Sequence, residues 1–117
     1  MMTLNQLRTL ALSFPEATEE PHFEKTSFRV KKKIFVTFDE KLNRCTIKLS
    51  QIDQDAFSIA AKQVIYPVPN KWGKQGWTII EMSQVNPELF NDALITAYCE
   101  VAPPKFVQLV RSNIPGA

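Results

Sequence analysis

This chain of 117 residues is poor in several residue types, with only three glycines, two cysteines and one histidine. Each scarcity closes off a class of function. Gly73, Gly76 and Gly116 fit neither a phosphate-binding loop nor a dinucleotide fingerprint, which place several glycines at short fixed spacings so that backbone can approach phosphate. With His22 as the single histidine, no Ser–His or Cys–His signature is available for nucleophilic catalysis, and no GxSxG stretch occurs. A metal centre needs three or four convergent ligands, so His22 among its glutamates reads as a loop residue. Cys45 and Cys99 lie far apart without CxxC spacing and read as buried thiols of a reducing compartment, the cytoplasm. No apolar run approaches the roughly 18–20 residues of a membrane span, and the N-terminus carries no leader pattern. The expectation is a cytoplasmic, non-enzymatic monomer without cofactor or metal.

What is present is ordinary in amount and uneven in placement. An apolar fraction of 44% with 22% charged residues is globular, and the length is that of one domain, 1–117, with a short tail at 113–117. The net charge of +2 is small. However, residues 25–74 hold eleven Lys or Arg against four acids, a net +7, while 1–24 sum to −3 and 75–117 to −2. A basic middle between acidic ends creates a local field that can attract a polyanion.

Periodicity supplies the elements. Thr3-Leu4-Asn5-Gln6 has the form of a capping box, and Leu4, Leu7, Leu10, Ala11 and Phe14 follow at helical spacing, predicting a helix over 4–13. Residues 15–24 read as a loop. Strands are expected at 26–30 and 33–38 around a turn at Lys31-Lys32, and again at 44–49. Their alternation sends Phe28, Val30, Ile34, Val36, Phe38, Cys45, Ile47 and Leu49 inward. A second helix opens at Ser50 or Asp53 with the stripe Ala56, Phe57, Ala60, Ala61 and Val64, and stops before Pro67. A fourth strand follows over 77–82; keeping Glu81 in water puts Trp77 and Ile79 outward and Thr78, Ile80 and Met82 inward. Asn86-Pro87-Glu88 starts a long helix, and Pro103-Pro104 separates it from a last one over 104–112. The order α-βββ-α-β-α-α implies an α+β fold, an antiparallel sheet with helices packed on one face.

The outward set then comprises Ser27, Arg29, Lys33, Phe35, Thr37, Arg44, Thr46 and Lys48, four of them cationic and none acidic. Two projections stand beside it: the hairpin turn Arg29-Val30-Lys31-Lys32-Lys33, and the segment Asn70-Lys71-Trp72-Gly73-Lys74, whose glycines allow a tight, exposed conformation. Cations neutralise phosphates and aromatic rings stack on bases, so nucleic acid is one reading. The other is equally plain: solvated lysines, with Trp72 and Trp77 as anchors pinning a long loop.

Three blocks resemble the MmcQ/YjbR family. Pro21-His22-Phe23-Glu24-Lys25-Thr26-Ser27-Phe28-Arg29-Val30 with Lys33-Ile34-Phe35-Val36 is similar to its first hairpin. Val68-Pro69-Asn70-Lys71-Trp72-Gly73-Lys74-Gln75-Gly76-Trp77 is similar to its central loop and next strand, and Ala97-Tyr98-Cys99-Glu100-Val101-Ala102-Pro103-Pro104-Lys105 to its C-terminal helix end. The resemblance implies a CyaY-like fold, shared in architecture with frataxins, and DNA binding through two wing-like projections. Frataxin-type iron binding does not carry over, because the first helix here has Arg8 as its only charge. Lys31-Lys32-Lys33 stands where a glycine-bearing turn is commoner, implying a more basic and less tight wing.

The expected nucleic-acid-binding residues are therefore Arg29, Lys31, Lys32 and Lys33 from one projection and Lys71, Trp72 and Lys74 from the other, with Lys48 and Trp77 between them. Binding would be weak, sequence-independent and salt-sensitive. The alternative is a protein- or small-ligand-binding module on the same sheet face, and a metal chaperone ranks third.

Overall fold

A computed structural model describes residues 1–112; the tail expected at 113–117 lies outside the described residues. Helix α1 (Leu4–Ser13) begins on the capping box, with the Gln6 N–H donating to Thr3 Oγ1 at 3.2 Å and the Thr3 N–H to Gln6 Oε1 at 2.9 Å. Six strands among the described residues form one antiparallel sheet. They are β1 (Ala17–His22), β2 (Lys25–Val30), β3 (Lys33–Asp39), β4 (Arg44–Lys48), β5 (Ile65–Pro67) and β6 (Trp77–Glu81), in the spatial order β1-β2-β3-β4-β6-β5. Between them lie α2 (Gln51–Ala60) and the single helical turn α3 (Lys71–Lys74), and after them α4 (Pro87–Val101) and α5 (Pro104–Ser112). The fold is α+β, as the strand alternation and helical spacings imply.

The core lies between the sheet and α1 and α4. Asn86 caps α4, its Oδ1 accepting the Leu89 N–H at 2.8 Å, and Pro87 fills the first turn where no N–H is needed. Phe90, Ala93, Leu94, Ala97 and Tyr98 of α4 are buried with Phe28, Val36, Ile47 and Ile80 from the strands. The Phe14, Phe35 and Tyr98 rings meet at centroid distances of 4.7–6.0 Å. The Tyr98 hydroxyl donates to the Pro15 carbonyl at 2.6 Å, and burial pushes its pKa up to about 12. Cys45 is buried with its Sγ 3.2 Å from Met82 Sδ, and burial raises its thiol far above the ordinary value; Cys99 is half-buried and both are free thiols.

Four segments depart from the sequence expectation. Residues 17–22, read as loop, form β1: an edge strand needs no buried face, and Pro21 is tolerated there because one side of its backbone has no partner strand. Residues 65–67 form β5, the other edge. The stripe expected on α2 packs only in part: Phe57, Ala61 and Val64 lie against the core, but the helix ends at Ala60, and Ala56 and Ala60 are exposed. Its buried residue is Gln54, whose amide donates to the Gly73 carbonyl at 2.9 Å and to Thr78 Oγ1 at 3.1 Å. The fourth departure is α3, which occupies what reads as an exposed loop.

A bulge changes one face of the hairpin. Phe28 pairs with Val36 but Arg29 with Ile34, so β3 carries Phe35 as an extra residue. Phe35, expected outward, is fully buried against Phe14 and Tyr98; Ile34, expected inward, turns to the open face. Burying a phenylalanine contributes about 2–3 kcal/mol, more than the roughly 1 kcal/mol of one ladder hydrogen bond. The same shift pairs Lys33 with Val30, a core residue, so Lys33 shares the helix-side parity and is exposed because it stands at the end of the sheet.

Candidate functional site

The register brings the two lysine-bearing segments to one end of the sheet. Val30 pairs with Lys33 and Lys48 with Trp77, so the β2–β3 turn, the end of β4 and the start of β6 are neighbours. The α3 segment leaves β5 at Pro67 and returns to β6 at Trp77, at that same end. With strands about 4.8 Å apart, the start of β3 and the start of β6 are roughly 10 Å from each other.

The β2–β3 turn is tight and strained. Lys31 and Lys32 are both left-handed, with φ of 49° and 69°, a geometry that normally favours Asn-Gly. The expectation of a looser turn is therefore corrected: pairing of the flanking strands holds two lysines where glycine would cost less. Lys31 Nζ lies 5.5 Å from the Phe106 ring centroid, and Lys105 Nζ lies 5.1 Å from the same ring, so α5 supplies a further cation.

The α3 segment is fastened rather than projecting freely. Asn70 caps it, its Oδ1 accepting the Trp72 N–H at 2.8 Å, and its glycines are buried instead of exposed. A Cβ on Gly73 would sit 2.0 Å from the Val68 carbonyl oxygen, and one on Gly76, at φ +101°, 1.9 Å from that of Leu49. Gln54 holds the segment from below. Trp72, 49% exposed, and the half-buried Trp77 are left facing the open side of the sheet, with Lys71 Nζ 5.5 Å from the Trp72 ring.

The open face itself is not uniformly basic. Its central row, Ser27, Thr37, Thr46, Ile79 and Tyr66, runs across five strands without a charge. Arg44 is paired with Glu81 at 3.0 Å, and Tyr66 donates to the same carboxylate; burial, then that hydrogen bond, raises the Tyr66 pKa. Two expected site residues have internal duties. Arg29 donates to Ser27 Oγ at 3.0 Å and to the Pro21 carbonyl at 3.3 Å. Lys48 donates to the Gln75 carbonyl, tying β4 to the end of α3.

A groove of about 580 Å³ crosses this face. Ile34, Thr37, Thr46 and Ile79 line its floor, and Trp72 and Trp77 stand at the lysine end. At the opposite end are His22, Lys25 and Arg44, with Asp39 beside them. His22 thus belongs to the rim of a groove at the end of β1, and Lys25 is a cation that the alternation did not single out. Ile34 enters the groove through the bulge, which no residue pattern announces.

Of the nine expected residues, the structure therefore brings Lys31, Lys32, Lys33, Lys71, Trp72, Lys74 and Trp77 to one end of the sheet, while Arg29 and Lys48 serve neighbouring backbone and side chains. The five lysines are exposed, and none forms an ion pair among the described residues. No three His, Cys, Asp or Glu side chains converge among the described residues, and no helix there is long and apolar enough to cross a membrane.

Comparison with known proteins adds the following. The model of the YjbR family matches residues 12–100. A crystal structure of the Deinococcus radiodurans protein DR2400, with the family-model domain DUF419, superposes with a TM-score of 0.79 at 20% identity, covering 99% of this chain and 94% of that one. At that identity the likeness concerns the fold. A search of the curated proteins finds no match.

Proposed function

Because the chain belongs to the YjbR family, a membership that names no activity, we propose from its geometry that it is a non-enzymatic DNA-binding module. The observation that carries this is the set of five exposed lysines, Lys31, Lys32, Lys33, Lys71 and Lys74, gathered at one end of the sheet without ion-pair partners among the described residues. Lysines left without carboxylates keep their full charge available for phosphate, and each phosphate they neutralise releases a condensed counterion. The strain in the turn points the same way. Two lysines in the left-handed region cost about 1–2 kcal/mol each relative to glycine, an expense set against the charge they display and the contact of Lys31 with the Phe106 ring. Arg29 and Lys48 act here as supports, one under the hairpin and one under α3, and Trp72 and Trp77 flank the phosphate-binding end.

Fluorescence-anisotropy titrations with duplex and single-stranded DNA at low and moderate salt test the reading. Affinity should fall steeply with salt. Replacing Lys31, Lys32 and Lys33 together by Gln should flatten the logarithmic salt dependence by about 2–3 units, near 0.7–0.9 per lost phosphate contact. Absence of binding to either form at low salt would sink the proposal.

The groove favours a second reading, a protein- or small-ligand-binding module on the open face, since 580 Å³ is within the range of roughly 300–1,000 Å³ that ligand sites occupy. Binding of a partner abolished by Trp77→Ala, together with no affinity for DNA, would decide for it.

A further inference from the structure

The groove and the lysines meet at Trp72, which lines the groove and has Lys71 Nζ 5.5 Å from its ring. We infer that the ligand is an unpaired single strand whose base enters the groove of the open face against Trp72 and Trp77 while its phosphates follow Lys71, Lys74 and the β2–β3 turn. This rests on the DNA-binding reading and narrows it.

Three observations support the strand over a duplex. First, the tryptophans present ring surface: Trp72 is 49% exposed and Trp77 half-buried, both lining the groove. In a duplex the base faces are already stacked on one another, so these rings would have nothing to pair with unless a base were flipped out. A single strand offers a free π-face at every nucleotide, which explains why aromatic platforms beside a basic track accompany single-strand binding. Second, the floor under the rings suits a base. Ile34 and Ile79 give it apolar contact, and Thr37 and Thr46, a cross-strand pair, have hydroxyls that make no hydrogen bond among the described residues. Two free hydroxyls can each donate or accept, so they can meet the edge of any base without selecting one. Third, the charges are divided along the groove. The lysines of α3, without ion pairs among the described residues, lie beside the tryptophans, whereas the other end mixes signs, with His22 and Lys25 beside Asp39 and Arg44 held by Glu81. A phosphate is therefore favoured next to the rings and the uncharged base is favoured over the floor. The turn and α3, roughly 10 Å apart at the sheet end by strand spacing, can be reached by successive phosphates of one extended chain.

The protein carries a built-in probe, because Trp72 and Trp77 are its only tryptophans. Titration of the intact chain with a thymidine 12-mer should quench its intrinsic emission, while a duplex of equal length should leave the emission nearly unchanged. In anisotropy at matched salt, the single strand should bind at least about tenfold more tightly than the duplex. Trp72→Ala should remove about tenfold of the single-strand affinity, in line with the loss of one stacked base, and leave duplex affinity within about twofold. Thr46→Val, which keeps the shape of the side chain, should weaken the single strand alone, and supplies a test that does not depend on truncating a large ring. Equal affinity for both forms, insensitive to Trp72→Ala and Thr46→Val but lowered by the Lys31, Lys32 and Lys33 replacement, would overturn the inference and leave the DNA-binding reading in place. Failure of both forms to bind would overturn both. Thymidine monophosphate competing as well as the 12-mer at equal nucleotide concentration would also overturn it, because the site would then take a free nucleotide and not a strand.

Discussion

The two lysine-bearing segments at the end of the sheet are built on opposite principles. The β2–β3 turn is two residues long, with both lysines at positive φ and, beyond the ladder on either side, the contact of Lys31 with the Phe106 ring. The α3 segment is longer, yet it is held at every step: Asn70 at its start, Gly73 against the Val68 backbone, Gln54 from below, Gly76 against Leu49 and Lys48 onto Gln75. Similar charge is thus displayed by a strained short loop in one case and by a well-anchored longer one in the other. The difference teaches that exposed function and buried support need not be close in sequence, since Gln54 and Lys48 stand nineteen or more positions before the groups they hold.

Substitutions can break or sharpen this contrast. The largest effect is expected at Gly76. Adding a Cβ at φ +101° and 1.9 Å from the Leu49 oxygen leaves no room without moving backbone, so Gly76→Ala should lower stability by at least about 3 kcal/mol in a urea melt. Gln54→Leu comes next. It keeps the volume but removes the amide that donates to the Gly73 and Trp77 carbonyls and the Thr78 hydroxyl. The Gly73 carbonyl keeps the Gly76 N–H and Thr78 keeps its bond to the Gly76 carbonyl, so the loss should be about 2 kcal/mol. Amide exchange at Gly73 and Gly76 should accelerate in this variant while that of Val30 does not; uniform acceleration would mean that α3 is not held separately.

The turn should respond in the opposite sense. Lys31→Asn with Lys32→Gly places residues suited to positive φ and removes a like-charge neighbour, so thermal denaturation should show a gain of about 1–2 kcal/mol. DNA affinity should fall in the same variant. A stabilised protein with unchanged affinity would show that the turn is not part of the phosphate-binding end. The smallest effect is expected for Trp72→Ala, whose half-exposed ring should contribute under about 1 kcal/mol to stability, so any large loss of binding in that variant reads on the ligand.

Legibility followed how local each feature is. Both N-caps at Thr3 and Asn86, the helices α1 and α4, and the alternation that puts Cys45 and Ile47 inward could be read because they depend on neighbours within a few residues. The outward placing of Trp77 and Ile79 followed from keeping Glu81 near water, and Glu81 indeed lies on the open face with Arg44. β1 escaped notice because an edge strand of polar residues has no hydrophobic period to show. α2 was legible only in part: Phe57, Ala61 and Val64 do lie against the core, but Ala56 and Ala60 are exposed, and the fully buried residue of the helix is a glutamine, Gln54, which no apolar period marks. The candidate site was legible as a list of cations and rings, but not in its division into exposed members and those bonded to neighbouring groups, since that depends on which partner each side chain meets.

The sequence by itself determined an α+β chain with a basic middle and two lysine-rich connections, because composition, caps and period-2 patterns act over short distances. Only the tertiary structure decided that the two connections share one end of the sheet, that a bulge sends Phe35 to the core and Ile34 to the groove, and that the glycines of the second connection are buried. Strand register, and the competition between burying a phenylalanine and keeping a ladder regular, are settled by contacts between residues far apart in the chain. No local pattern encodes them.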